Sequence, residues 1–174
     1  MRLSPQIKSV EYSRICELIN LIISTHPEGF SILTGNSPPP TSQEIHDMLD
    51  STRSPMPRDF KPTQKSSATT SEQKVIDVEY FNKSVEIAGG WSHINFCAQE
   101  FQKIDSRMWN VAADHVKYVA NPSSRFYSRL SYIANKYKIS RNTAIKYRRL
   151  FPKVLAMMIL VPDSQRELFA PKNL

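Results

Sequence analysis

A short stretch near the C-terminal end of the sequence is rich in side chains that donate hydrogen bonds. It contains Arg141, Asn142 and Thr143, and a helical repeat would bring Lys146 and Arg149 to the same outward side. Arginine pairs with guanine and asparagine with adenine in the major groove, whereas lysine is a typical phosphate contact. If a helix begins here, the positive end of its dipole also favours phosphate. The residue types therefore indicate a surface that contacts nucleic acid.

The charge of the surrounding sequence supports this interpretation. From His115 to Pro162 there are ten Lys and Arg residues and not one Asp or Glu. The whole chain of 174 residues has 23 basic and 16 acidic residues and a net charge of +7, so the remainder holds 13 basic against 16 acidic residues. Because exposed helices commonly pair Glu with Lys, a long basic stretch without acids favours a polyanionic partner over a role in solubility alone.

The elements that would position these side chains have the pattern of a helix-turn-helix over residues 129–150. Ala134 is small enough for a close crossing of two helices. Lys138 takes the turn position that needs a left-handed backbone, which is usually a glycine. Ser140 can cap the second helix by accepting a bond from a backbone N–H, and Ala144 would face inward.

Ile133-Ala134, the run Ile139-Ser-Arg-Asn-Thr143 and the pair Lys146-Tyr147 resemble the helix-turn-helix core of sigma-factor region 4, transposase heads and many bacterial and phage regulators. The resemblance covers 129–150, and it extends over 105–150 if the preceding predicted helix belongs to the same unit. It implies a sequence-specific DNA-binding regulator of transcription. Phage late-gene antiterminators of the Q type are similar in size and basicity and load onto RNA polymerase, but the zinc-binding cysteine pairs of that group are absent here.

We therefore expect a transcription regulator that binds double-stranded DNA, with RNA polymerase and a second copy of the chain as candidate protein partners. No catalysis, metal or cofactor is expected, because the four His are scattered, Cys16 and Cys97 form no metal signature, and 115–162 has no acids to hold a catalytic metal. The predicted DNA-binding residues are the basic and polar side chains around the turn and second helix: Lys136, Ser140, Arg141, Asn142, Thr143, Lys146, Arg148 and Arg149.

Two other functions stay open. Aromatic rings amid positive charge can stack on single-stranded bases, so an RNA or single-strand binder is one alternative. The other is a protein–protein adaptor that binds through apolar helices and uses its basic residues only for solubility. Salt separates the classes, because phosphate contacts weaken steeply with salt and an apolar interface does not. The rings interleaved with the basic residues are Tyr118, Phe126, Tyr127, Tyr132, Tyr137, Tyr147 and Phe151.

The rest of the sequence predicts an all-α fold in three parts. These are an N-terminal helical element over 1–50, a flexible Pro/Ser/Thr-rich linker over 51–74 and a helical DNA-binding domain over 75–174. Residues 6–24 have apolar side chains at helical spacing. Thr41-Ser-Gln-Glu44 has the spacing of a capping box ahead of a short helix.

Three further helices are predicted over about 75–88, 91–104 and 105–119, ahead of the helix-turn-helix. Their inward side chains are expected to be Val75, Val78, Tyr80, Phe81 and Val85 in the first helix, Ile94, Phe96, Cys97, Phe101 and Ile104 in the second, and Met108, Trp109, Ala112, Val116 and Val119 in the third.

Two apolar segments have two interpretations each. The stripe of the first helix either covers the core or binds a protein; it comprises Val10, Ile15, Leu18, Ile19 and Ile22. The segment 154–161, apolar on nearly every side, either enters the core or forms a seam with a partner. Its apolar run is far shorter than the roughly 18 residues of a membrane span. Because Met1–Pro5 also lacks the apolar stretch of a signal peptide, we expect a cytoplasmic protein.

Overall fold

Helices account for all the regular structure in the part of the chain that can be described. A computed structural model describes residues 9–52, 70–119 and 126–161, and within these ranges there are eight helices and no strand. The all-α prediction is therefore confirmed for these residues. The helices are α1 (Ser9–Thr25), α2 (Gly29–Thr34), α3 (Ser42–Thr52), α4 (Thr70–Ile87), α5 (Trp91–Ile104), α6 (Ser106–Val119), α7 (Phe126–Tyr137) and α8 (Arg141–Leu160).

The first helix buries the stripe that its sequence predicts, with one exception. Ile15, Leu18, Ile19 and Ile22 are all at most 4% exposed, and they pack into the main hydrophobic core. Val10 is 76% exposed, so its assignment to the stripe is wrong. It lies in the first turn of α1, one turn before the buried residues begin. Of the two interpretations of this stripe, the structure has the one in which the helix covers the core.

The chain reverses after α1 through a turn that the sequence indicates and a helix that it does not. The His26 N–H donates to the Ile22 carbonyl at 3.1 Å and closes the last turn of α1. A Cβ atom on Gly29 would collide with the backbone carbonyl of Ile22, so only glycine allows this close approach. The short helix α2 follows at once and buries Ile32 and Leu33.

The capping box ahead of α3 is confirmed in both of its hydrogen bonds. The Thr41 N–H donates to Glu44 Oε2 at 2.7 Å, and the Glu44 N–H donates to Thr41 Oγ1 at 3.3 Å. The bond from the Thr41 N–H is the largest cause of a lowered pKa for the Glu44 carboxyl. The flanking helices α3 and α4 extend into the predicted linker 51–74, while 53–69 lie outside the described residues, so the linker stays a prediction.

The helices α4 and α5 turn three of the predicted core side chains outward. Phe81 and Val85 are buried as expected, whereas Tyr80 is 52% exposed and holds the Arg14 guanidinium 4.0 Å from its ring centre. On α5, Phe96 is 49% exposed although its neighbour Cys97 is fully buried. Both errors have one cause, since consecutive positions on a helix point about 100° apart and cannot all face one core. Ile104, at the end of α5, is also 37% exposed.

Helix α8 packs against α1 and so links described helices that are far apart in the sequence. α8 continues without interruption through Pro152, and its second half enters the same core as α1. Phe151 is fully buried at the centre, with the rings of Phe30, Phe101 and Trp109 at centroid distances of 5.2–5.3 Å. The apolar segment 154–161 therefore belongs to the core and not to a partner seam. Within the described residues, no helix has both the length and the apolar character that crossing a bilayer requires.

Candidate nucleic-acid interface

A second, smaller core holds the first half of α8 against α6 and α7. Val111, Leu130, Ile133 and Ala144 are buried together, with Ala144 fully enclosed. Partly buried rings and aliphatic side chains close the edges of this group, and Tyr147 touches both cores. We call α6, α7 and the first half of α8 the three-helix unit. It fixes which side of α8 faces inward and which side is left for a partner.

The turn between α7 and α8 follows the sequence prediction at each position that can be checked. Lys138 has φ of +52°, and it is the one non-glycine residue with positive φ among those described. The Ile139 N–H donates to the Ala134 carbonyl at 3.0 Å. Ser140 has an extended backbone, and its Oγ accepts a bond from the Thr143 N–H at 3.0 Å. The N-terminal end of α8 is therefore closed by its predicted cap.

The outward side of α8 carries a row of exposed polar and cationic side chains. Asn142, Lys146, Arg149 and Lys153 follow each other at spacings of four, three and four residues, which places them along one side of a helix. All four are exposed. We call them the basic stripe. Arg141 is also exposed, and the first turn of α8 contains no acidic residue.

Two of the predicted site residues have their polar atoms engaged locally. The Ser140 hydroxyl caps the helix, and it also forms a bond of 2.8 Å with Thr143 Oγ1. Thr143 is only partly exposed. These two side chains therefore shape the start of α8, while Arg141 and Asn142 beside them point their donors to the surface.

Arg148 differs from the other predicted cations because it lies against α1. Its Nη1 donates to Asn20 Oδ1 at 3.3 Å and its Nη2 to Ser24 Oγ at 2.9 Å. Burial lowers the pKa of this guanidinium. Arg148 therefore belongs to a different surface from Arg141 and Lys146, although it was predicted to share theirs.

Lys136 is exposed but already has a partner. Its Nζ lies 2.7 Å from Asp114 Oδ2, and the Tyr137 hydroxyl donates to the same oxygen at 2.6 Å. The bond to Asp114 is the largest cause of a raised pKa for Lys136. This bridge ties α7 to α6 beside the turn, and it reduces the charge that Lys136 offers to an outside anion.

One cation that sequence reasoning missed lies beside the same turn. Arg107 is exposed, and its Nη2 donates to the Tyr137 carbonyl at 2.6 Å. Its position in the sequence precedes the stretch without acids, so no local pattern pointed to it. Only the packing of α6 on α7 brings this charge next to Lys138.

The aromatic residues that suggested single-strand binding occupy different environments. Phe151 is fully buried and Tyr137 and Tyr147 are partly buried, so these three act mainly in packing. Tyr132 is 48% exposed on α7, one turn before Lys136. The side chains of Tyr118, Phe126 and Tyr127 lie outside those that the structure describes.

The chain has no match among protein-family models, curated proteins or solved structures. Within the described ranges, no three His, Cys, Asp or Glu side chains come together as a set of metal ligands.

Proposed function

We propose that this protein binds double-stranded DNA through the first half of α8 and regulates transcription. The observation that carries the proposal is the basic stripe. It lies on a helix that is capped at its N-terminus and packed on its opposite side, and that has no acidic residue in its first turn. Such a helix is held rigidly while its donors stay free for a partner. Recognition helices of helix-turn-helix proteins meet DNA in this way.

The roles of the individual residues follow from their positions on α8. Arg141 and Asn142, at its N-terminal end, read base edges in the major groove, because bidentate pairing with guanine and adenine suits these side chains. Lys146 and Arg149 contact phosphates further along the stripe. Arg107 adds a phosphate contact at the turn.

Two variants of α8 test this assignment. The preferred duplex is first selected from a random pool, and affinity is then measured by fluorescence anisotropy. Arg141→Ala should weaken binding to the selected site by about 1–3 kcal/mol and relax the preference at one base pair. Lys146→Ala should weaken binding to all sequences alike and reduce the salt slope by about 0.9.

Lys83→Ala is the matched control, since Lys83 is an exposed lysine on α4 that pairs with Glu86 at 3.1 Å. It should leave both affinity and salt slope unchanged. If Lys83→Ala and Lys146→Ala weaken DNA binding equally, the affinity comes from general surface charge and not from a specific interface on α8. An unchanged base preference in Arg141→Ala would contradict the orientation assigned to α8.

The exposed ring of Tyr132 favours single-stranded nucleic acid as a second candidate ligand. This candidate would be supported if a single strand competes for binding better than a duplex of the same sequence. Tyr132→Ala should then lose affinity for the single strand, and Arg141→Ala should not.

The exposed side chains of Phe96 and Ile104 on α5 favour a protein contact in addition. RNA polymerase is the partner that the resemblance implies, and co-purification of the wild-type chain but not of Phe96→Ala would test it.

A further inference from the structure

A groove lies beside Arg148, between the C-terminal end of α1, the turn before α2, α6 and α8. Its volume is about 1170 Å³, which exceeds the roughly 300–1,000 Å³ of a typical small-molecule site because the groove is open to solvent. Its lining includes the buried residues Ile23, Gly29 and Pro152. One wall comes from α8 and carries Arg148 together with two more cations, Arg149 and Lys153.

The guanidinium of Arg148 is unusual within this wall. It is partly buried, and it donates hydrogen bonds to two neutral acceptors, Asn20 Oδ1 and Ser24 Oγ. Among the residues that the structure describes, no carboxylate forms an ion pair with it. A partly buried charge without a counter-ion is unfavourable, and an anion in the groove would relieve that cost.

A histidine and an aspartate of α6 also lie in the groove with Arg148. His115, on α6, also lines the groove. Burial lowers the pKa of its imidazole, and the positive charges of Arg148 and Arg129 lower it further. The nearest acid of α6, Asp114, is already bound to Lys136 and the Tyr137 hydroxyl.

The groove is also lined by acids that do not belong to α8. Two of them are exposed carboxylates, Glu17 on α1 and Glu28 in the turn before α2. These groups accept hydrogen bonds, whereas the α8 wall offers donors and positive charge. A ligand that fits both walls has an anion at one end and N–H or O–H donors at the other.

We infer that this groove is a binding site for a small phosphate ester of the nucleotide type, with its phosphate on Arg148 and its donor groups towards Glu17 and Glu28. A phosphate forms bidentate, charge-assisted bonds with a guanidinium, which suits the unused donors of Arg148. The DNA backbone is the less suitable phosphate source, because Arg148 lies within a concave groove and a duplex reaches exposed side chains such as those of the basic stripe. The groove shares Arg149 and Lys153 with the basic stripe, whereas Arg148 is outside the proposed DNA surface.

Isothermal titration of the full-length protein with ADP, without DNA, tests this inference. We expect saturable binding of one ADP per chain and binding at least ~10-fold weaker for adenosine, which lacks the phosphates. Arg148→Gln should weaken ADP binding at least ~10-fold, and Lys153→Gln should weaken it by a smaller factor. Arg141→Gln, an exposed arginine on the same helix, is the matched control and should leave it unchanged.

Thermal unfolding of each variant shows whether it is folded. If Arg148→Gln does not fold, the ADP affinity of Lys153→Gln is used to test the inference. The inference is overturned if the wild-type protein shows no saturable ADP binding below ~10 mM, or if Arg141→Gln weakens binding as much as the groove variants do. Because no DNA is present, neither result depends on the proposed function. Conversely, if Arg141→Ala abolishes DNA binding, ADP binding in the groove should be unchanged.

Discussion

Removing the Ser140 hydroxyl would show how strongly the start of α8 depends on its cap. In Ser140→Ala the Thr143 N–H loses the oxygen that it reaches at 3.0 Å, while the backbone around it is unchanged. Loss of a serine cap costs about 1 kcal/mol, within a range of roughly 0.5–2. Since Ser140 is exposed, water replaces part of the lost bond, so we expect about 1 kcal/mol or slightly less. For a chain of this size, that free energy corresponds to a fall in Tm of about 2–4 °C.

Denaturant unfolding followed by circular dichroism measures this change. The matched control is Ser13→Ala, an exposed serine inside α1 whose replacement should be neutral or stabilise by a few tenths of a kcal/mol, because alanine favours a helix interior. If both variants unfold at the same denaturant concentration, the cap contributes nothing and the reasoning about the α8 terminus is refuted.

Ser140→Asp separates stability from the proposed function. The carboxylate still accepts the Thr143 N–H bond and adds a negative charge at the positive end of α8, so stability should be kept or rise by about 0.5 kcal/mol. The same charge would lie beside the DNA phosphates, and affinity for the selected duplex should fall about 10-fold or more. If this variant is as stable as the wild type and binds DNA equally well, the N-terminal end of α8 is not part of the DNA interface.

Three further outcomes follow from the core and from one partly buried tyrosine. The double change Leu18→Glu and Ile22→Glu should abolish cooperative thermal unfolding, because each buried charge costs several kcal/mol, whereas Val10→Glu at a site 76% exposed should not. Phe151→Ala should lower the free energy of unfolding by about 3–5 kcal/mol in a denaturant titration. Burial, and to a lesser degree Cys16, raises the pKa of Tyr12 from 10.0 to about 12. Its contribution to stability is therefore complete below pH 10 and lost as the pH rises towards 12, so Tyr12→Phe should lose less stability over that interval.

Local patterns in the sequence predicted the parts of this fold that local forces determine. The capping box at Thr41, the left-handed turn at Lys138 and the cap at Ser140 each depend on a few neighbouring residues, and each is present in the structure. The buried stripe of α1 has the helical period, so it could also be read directly. Val10 was included in error because its spacing fits the stripe, while the core does not reach the first turn of α1.

The parts that sequence reasoning missed depend on which helices meet. Arg148 and Lys146 are both basic residues of one helix, yet only the packing of α1 against α8 turns Arg148 towards Asn20. Arg107 reaches the turn because α6 contacts α7, and no local spacing in the sequence predicts that contact. The short helix α2 follows Pro27 and begins at Gly29, although both residue types usually end a helix, and it is stabilised by burial of Ile32 and Leu33.

The pairing of α1 with α8 also determines the order in which the protein can fold during synthesis. Arg148 and Asn20, which join the two helices, are 128 residues apart in the chain. At roughly 5–20 residues per second, α1 leaves the ribosome on the order of 10 s before α8, one of the helices that pack on it. Closing so long a loop is entropically costly and slow. The core around Ile15, Leu18 and Ile22 therefore stays incomplete until α8 has been synthesised.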